Sequence, residues 1–519
     1  MAESHTVHIL PSGMILRAGA GQSLIDILYD QGVEFPCGGK GTCGGCRVRV
    51  KEGAASVTEH DLRLLTSDQI EAGWRLACCM EVTQDITLEI AGWGMGVLSD
   101  SSLKSRSGGE GYGIAIDLGT TTIAGQAIEL STGRVLASMS GLNVQARSGA
   151  DIMSRVAFGL DPDGLNSLNS MIRRQIGAMV EAMQKEAGRA LGSGTEKRMA
   201  GVVIVGNTVM HHLFGALPVE SLSHYPFESP DMGEYSLSAS ELGWDLAGDP
   251  RVVFLACLGG FVGSDILAGV LASELLQGER PRALIDLGTN GEIVVAAGGR
   301  MLCASTAAGP AFEGARITCG MRAAAGAIDR VLLDHGCLTS HVIGGGEAVG
   351  ICGSGLVDAA ACGLAAGLIQ PSGRISGADK MVRLSGEVFI NQQDIRELQL
   401  AKAAISAGLN ILLRRLDLEP GDLDELFIAG AFGNYIHLNS ARAIGLIHPA
   451  IQHVSPIGNS ALHGAKIALL ADSIPDLRRE MEKIEKECEH VSLNSDMEFM
   501  ERFTEEMAFP EKSEPFEMD

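Results

Sequence analysis

The string Ile-Asp-Leu-Gly-Thr occurs twice in this chain, at Ile116–Thr120 and Ile285–Thr289, 169 residues apart. In each copy an apolar run meets an Asp, and Gly-Thr then turns the backbone into a second apolar run. The Gly lets backbone N–H groups face an anion, and the Thr hydroxyl adds a donor. The Asp at the strand end can hold a hydrated Mg²⁺ or orient a water. One copy alone would read as an ordinary hairpin turn. Two copies point to a duplicated fold that clamps a triphosphate from both sides. The candidate residues are Asp117, Gly119, Thr120 and Thr121 in the first loop, with Asp286, Gly288, Thr289 and Asn290 in the second. Asp117 and Asp286 are the expected catalytic pair.

Two further glycine-rich segments fit this picture. Gly350–Asp358 reads as a turn entering a helix, so the amides of Gly353, Ser354 and Gly355 can receive a phosphate or adenosine. Phe427–Gly433 reads as an apolar strand ending in a glycine turn at Gly430 and Gly433. Each alone is as well explained by a close-packed turn.

Four cysteines near the start carry a different chemistry. Cys37, Cys43, Cys46 and Cys78 are spaced C-x5-C-x2-C-x31-C, close to the plant-type [2Fe–2S] pattern of C-x4-C-x2-C…C. Cys79 competes with Cys78 for the fourth position.

At 519 residues the chain exceeds one ordinary core. The net charge of −24 argues against nucleic acid, because phosphate backbones need a basic face. Twelve cysteines, seven of them scattered singly after residue 80, fit a reducing cytoplasm better than a disulfide framework. The N-terminus lacks the charged and apolar regions of a secretory signal. Val252–Ala272 is apolar, but four glycines and Asp265 interrupt it. A strand, a glycine turn and a helix capped by Ser264 explain it better than a membrane span.

The order along the chain suggests five parts. Residues 1–95 read as hairpin, helix, cysteine loop and strands, the order of a ferredoxin β-grasp. Residues 96–112 are rich in Gly and Ser and read as a flexible linker that lets the first domain swing. Residues 113–279 and 280–475 alternate strands and helices, as two α/β lobes would. Residues 476–519 form an acidic tail. Strands are expected at 113–117, 122–129, 202–205, 252–256, 283–287, 291–296 and 426–429. Helices are expected at 166–191, 265–276, 354–367, 392–415, 438–445 and 459–471.

The paired Asp-Leu-Gly-Thr loops resemble those of the acetate kinase, sugar kinase, Hsp70 and actin superfamily. The ordered set is longer: the cysteine loop with Leu76-Ala-Cys78, Val205–His212, Ala308–Gly314, Ile351–Leu356 and Ala429–Gly433. Together it resembles the reductive activators of corrinoid-dependent methyltransferase systems. That resemblance implies a [2Fe–2S] cluster, ATP and Mg²⁺, with one-electron reduction of Co(II) to Co(I) in a corrinoid protein. It also implies a low-potential donor such as a ferredoxin or flavodoxin, and favours Cys78 over Cys79. The chain is compact for the family, so an extra middle domain is expected to be short or absent. Homodimer formation is left open.

Three rivals remain at this point. One is an activator of 2-hydroxyacyl-CoA dehydratases, although those hold a [4Fe–4S] cluster across a dimer. Another is a small-molecule kinase, and the third is an ATP-gated redox-sensing module. His211 and His212 are adjacent, which suits buried structural residues better than the i, i+4 spacing of a zinc motif. Glu313 either faces the cleft or forms a surface ion pair. Cys352, between glycines, reads as packing.

Overall fold

The computed structural model describes residues 4–10, 14–29, 41, 46–90, 108–149, 151–192, 198–278, 280–430, 433, 436–493 and 496–511. The first domain is a five-stranded sheet. Its strands are β1 (Ser4–Leu10), β2 (Met14–Gly19), β3 (Arg47–Glu52), β4 (Trp74–Leu76) and β5 (Ile86–Glu89), with helix α1 (Leu24–Tyr29). The order is β2-β1-β5-β3-β4, and the first strand runs parallel to the last. Alternation along β1 sends Val7 and Ile9 into the core with Leu24, Leu28, Val48, Leu76 and Leu88. This is the β-grasp arrangement expected from the element order.

Of the expected linker, residues 96–107 lie outside the described residues. Gly108 N donates to Leu130 O at 2.9 Å, so the chain is already laid on the next domain there. That domain opens with β6 (Tyr112–Leu118), β7 (Thr122–Glu129) and β8 (Val135–Leu142). Helix α2 (Pro162–Ala190), β9 (Met199–Gly206) and α3 (Thr208–Gly215) follow, then β10 (Tyr235–Ser238), β11 (Arg251–Phe254) and α4 (Ser264–Ala272). The sheet order is β8-β7-β6-β9-β11-β10.

The second lobe repeats the plan. It begins with β12 (Arg282–Leu287), β13 (Gly291–Ala297) and β14 (Arg300–Thr306). An insertion then carries β15 (Ala327–Asp334), β16 (Cys337–Val342), β17 (Gly350–Ile351) and α5 (Gly353–Ala365). The lobe resumes with α6 (Gln392–Arg415), β18 (Glu425–Ala429), α7 (Leu438–Ala443), β19 (Val454–Gly458) and α8 (Ser460–Ala468), and β20 (Cys488–His490) adds a late edge. Its sheet order is β19-β18-β12-β13-β14-β20. The five-strand cores β8-β7-β6-β9-β11 and β14-β13-β12-β18-β19 therefore share one order. They also share one pattern of antiparallel and parallel pairs. The duplication announced by the twin pentapeptides is a duplication of topology.

The lobes meet along α4 and α8. A Cβ on Gly464 would stand 1.9 Å from Ala268 O, so only glycine permits this approach. The apolar stretch 252–272 is this interface: β11, a turn and α4, with Ile266, Leu267, Val270 and Leu271 buried. Among the described residues no helix is long and apolar enough to cross a membrane. One local expectation fails. Helix α4 starts at Ser264 and ends at Ala272, and its N-cap is Gly263. The Ser264 hydroxyl is drawn away to Gly206, pairing with its N–H at 3.1 Å and its C=O at 3.2 Å. It ties the end of β9 to α4.

Candidate functional site

Both phosphate loops sit where a strand leaves its sheet, between β6 and β7 and between β12 and β13. Three side chains hold the first loop from behind. Asn143 Nδ2 donates to Gly119 O at 3.0 Å, and Asn207 Nδ2 donates to Thr120 Oγ1 at 2.9 Å. Arg155, fully buried, donates to Thr120 O at 2.6 Å and to Gly149 O at 2.8 Å. Within the loop, Gly119 N donates to Thr122 O at 3.1 Å and closes the turn. In the second loop Gly288 N donates to Asn290 O at 3.0 Å, closing the turn. Thr289 Oγ1 donates to the Glu313 carboxylate at 3.2 Å.

Four carboxylates gather on the cleft floor. Asp117 and Asp286 are the penultimate residues of β6 and β12, Asp265 lies in the first turn of α4, and Glu292 lies in β13. Burial pushes Asp117 up to about 6, against the bond it accepts from Asn459. Burial, and then the charge of Asp117, push Asp286 up to about 7. Asp265 rises to about 8 through burial, then Asp286 and Asp117. Glu292 rises well above the usual range by burial, then through Asp265 and Asp286, although Ser305 donates to it at 3.2 Å. The four carboxylates thus form one buried cluster, in which the charge of Asp117 bears on Asp286 and Asp265, and theirs on Glu292. Among the described residues, no group of three or more His, Cys, Asp or Glu side chains stands close enough to ligate a metal directly.

One of the two glycine segments flanks this floor. Gly430 has φ +93, and a Cβ there would lie 2.4 Å from Leu287 O and 3.0 Å from Asp286 Oδ1. It therefore packs directly on the second phosphate loop. Gly433 N donates to Gly430 O at 3.1 Å. Beyond them a cavity of about 480 Å³ is lined by Asp329, Arg330, His341, Ser354, Ile436 and His437. Its wall is fixed by two His–carboxylate pairs: His341 with Asp329 at 2.6 Å, and His437 with Asp358 at 2.7 Å. Ser354 lines the cavity while its hydroxyl donates to Asp329 O at 2.9 Å. Gly353 starts α5. Gly355 serves packing, since a Cβ would meet Ile328 O at 2.2 Å.

Of the four candidate cluster ligands, Cys37 and Cys43 lie outside the described residues. The other two are brought together by one ladder. Arg47 pairs with Leu76, and Ala77 N donates to Cys46 O at 2.9 Å, so Cys46 and Cys78 leave β3 and β4 at the same end. Cys79 Sγ is 3.6 Å from Cys78 Sγ. Burial, then that neighbour, push the Cys79 thiol up to about 11. The two donor positions that are described suit a thiolate-held cluster at this edge.

Sequence reasoning overlooked Asn143, Arg155, Asn207, Glu292 and Asn459 as site residues, and saw Asp265 only as a break in an apolar run. Asn207 lay inside the Val205–His212 motif without being singled out, and the others are single polar residues beside a glycine turn or within an apolar stretch. His211 and His212 are buried structural groups. His212 bonds Thr208 O and Ser229 Oγ, each at 2.8 Å, and His211 bonds Gly233 O at 3.0 Å. Burial holds His211 down at about 4 and lowers His212 as well.

The fold and the cleft define an actin- and Hsp70-like ATPase carrying a ferredoxin-like domain in front of it. Comparison with known proteins agrees. Residues 281–518 match the family model described as the C-terminal domain of RACo, the ASKHA domain. Residues 112–278 match the RACo middle region, and 7–83 the 2Fe-2S iron-sulfur cluster binding domain. The corrinoid activation enzyme RamQ of Eubacterium limosum is 35% identical over 421 residues, covering 76% of this chain and 69% of that protein. The Co(II) methylated amine-specific corrinoid protein reductase of Methanosarcina barkeri is 28% identical over 393 residues, 70% of each chain. The solved structure of a reductive activator for corrinoid, iron-sulfur protein superposes with a TM-score of 0.67 at 26% identity, covering 98% of both chains. This chain belongs to the RACo family. The family's middle region, matched at 112–278, is the stretch that forms the first lobe.

Proposed function

We propose that this protein returns a corrinoid protein from Co(II) to Co(I), hydrolysing ATP to drive one electron through its [2Fe–2S] domain. One observation carries the reading. A single chain joins a cysteine-bearing ferredoxin fold to a two-lobed cleft with a carboxylate cluster between twin phosphate loops. The relatives named as a corrinoid activation enzyme and as a Co(II) corrinoid protein reductase support the choice of client.

Cys37, Cys43, Cys46 and Cys78 hold the cluster, which supplies a one-electron carrier near −400 mV, the usual range of plant-type centres. The amides and side chains of Thr120, Thr121, Thr289 and Asn290 grip the phosphates, on turns that Gly119 and Gly288 close. Asp117 and Asp286 would hold a hydrated Mg²⁺, which would supply charge neutralisation at the phosphates, and their carboxylates would orient the attacking water. Gly353, Ser354, Gly430 and Gly433 shape the nucleoside end, which occupies the cavity beside His437, while Gly355 packs α5 onto Ile328. An uphill step of 100 mV costs about 2.3 kcal/mol per electron, which a nucleotide cycle can offset only through states of different affinity. A low-potential ferredoxin or flavodoxin as donor, a homodimeric state and a cytoplasmic setting belong to the same proposal.

The test is paramagnetic resonance of the reduced protein together with phosphate release. A [2Fe–2S] signal, and ATP turnover that rises when a Co(II) corrinoid protein is added, support the reading. A [4Fe–4S] signal, or turnover indifferent to corrinoid protein, opposes it.

A further inference from the structure

The segment 309–322, between β14 and β15, makes contacts that its role as a connection does not require. At its start Glu313 accepts from Thr289 Oγ1 in the second phosphate loop, at 3.2 and 3.3 Å to its two oxygens. At its end Arg322 Nη2 lies 3.3 Å from Thr122 Oγ1, beside the first phosphate loop. Met321 N donates to Ile351 O, and Ile351 N to Cys319 O, joining the segment to β17, which leads into α5 on the cavity wall.

Between these points the segment meets the cluster domain. Arg47 Nη2 donates to Thr318 O at 2.6 Å. Arg47 is the residue after Cys46. Thr318 is itself fixed on its other side: its N–H and hydroxyl donate to Asp394 Oδ1 at 2.7 and 2.9 Å, and Asn391 Nδ2 donates to its hydroxyl at 2.7 Å. Asn391 and Asp394 form the capping box of α6. The segment is also pinched into a stiff loop. Gly314 has φ +76, and a Cβ on Gly320 would stand 1.9 Å from Gly314 O. A stiff loop passes a displacement at one end to the other, where a slack one would absorb it.

We propose that residues 309–322 are the coupling element between nucleotide and cluster. Glu313 reads the state of the second phosphate loop through Thr289. The pinched loop carries that state to Thr318, and the Thr318 carbonyl sets the seating of the cluster domain through Arg47. Arg47 is thus a positioning residue for electron delivery. This inference rests on the ATP-driven reading above and deepens it by naming the path. A second link competes with it: Ala146, in the turn that follows Asn143 behind the first phosphate loop, packs against the core of the cluster domain.

Hydrogen exchange on the cluster-loaded full-length protein separates the alternatives, with and without saturating Mg²⁺ and a non-hydrolysable ATP analogue. In the unaltered protein the analogue is expected to change exchange at both 309–322 and 46–52. Arg47→Gln should retain the cluster absorbance, basal ATP turnover and the change at 309–322, yet lose the change at 46–52. Its Co(I) yield should fall about tenfold, the scale of one charge-assisted hydrogen bond. Glu313→Gln should lose the change at 46–52 at saturating analogue. Persistence of that change in both variants would overturn the inference and move the path to residues 143–147. Analogue binding without any change at 46–52 in the unaltered protein would also overturn it, leaving the parent reading intact. Absence of analogue binding would overturn both.

Discussion

Asn459 Nδ2 donates to Asp117 Oδ2 at 2.8 Å, joining residues 342 apart in sequence. Asn459 is the N-cap of α8 in the second lobe, and its Oδ1 also accepts from Leu462 N at 2.7 Å. Asp117 is the penultimate residue of the first strand of the first lobe. One side chain therefore starts an interface helix and steadies the expected catalytic carboxylate of the opposite lobe. The bond favours the ionised form of Asp117 against its burial. Asn459→Ala should shift the acidic limb of the ATPase pH profile to higher pH. It should also lower stability by about 1 kcal/mol through the lost cap. Asn459→Asp keeps a capping oxygen but sets an anion against Asp117, so it should damage turnover far more than stability. Pairing pH–rate profiles with denaturant unfolding checks both.

The carboxylate cluster makes the unliganded protein pH-sensitive. Asp117, Asp286 and Asp265 sit near 6, 7 and 8, all above the ordinary 3.8. The folded state therefore holds protons more tightly than the unfolded chain. The contribution of these groups is fully present below about pH 4 and is lost as pH rises through 6 to 8. Asp265→Asn should raise the melting temperature more at pH 8 than at pH 5.5. Mg²⁺ should bind more tightly at pH 8, releasing protons, and should recover stability there. Calorimetry at the two pH values measures each effect.

Gly430 is under two constraints at once, its positive φ and its approach to Leu287 O. Gly430→Ala strains the backbone by about 1–3 kcal/mol and pushes on the second phosphate loop. The expected result is a KM for ATP raised at least about tenfold, the equivalent of 1.4 kcal/mol of lost binding, with the cluster spectrum unchanged. Steady-state kinetics on the folded variant decides it.

The lobes were legible because their core strands are long apolar runs with an Asp-Leu-Gly-Thr end, and their helices carry clear 3.6-residue periodicity. The strands at 135–142, 300–306 and 454–458 were missed. Val454–Gly458 contains Pro456, which normally argues against a strand, yet β19 lies at the sheet edge, where a missing N–H costs little. Half of the site was readable in the twin loops. The rest, Asn143, Arg155, Asn207 and Asn459, acts across long sequence separations, and only topology brings these residues to the loops. Ser264 looked like a helix cap because serine before an apolar helix usually is one. A tertiary partner, Gly206, took its hydroxyl instead.

The choice between adjacent cysteines is open to a direct check. Cys79 sits on a raised thiol beside Cys78. Cys78→Ser should abolish the reddish [2Fe–2S] absorbance, while Cys79→Ser should leave it in place. Loss only in Cys79→Ser would reverse the ligand assignment.

The central claim is that ATP drives the electron to the corrinoid. It is tested by mixing the reduced, cluster-loaded protein with a Co(II) corrinoid protein and following the corrinoid absorbance. Co(I) should form with Mg-ATP and fail to form without it. Asp117→Asn and Asp286→Asn should abolish the dependence while keeping the cluster signal. Equal Co(I) yield with and without ATP would contradict the coupling of the cleft to the cluster.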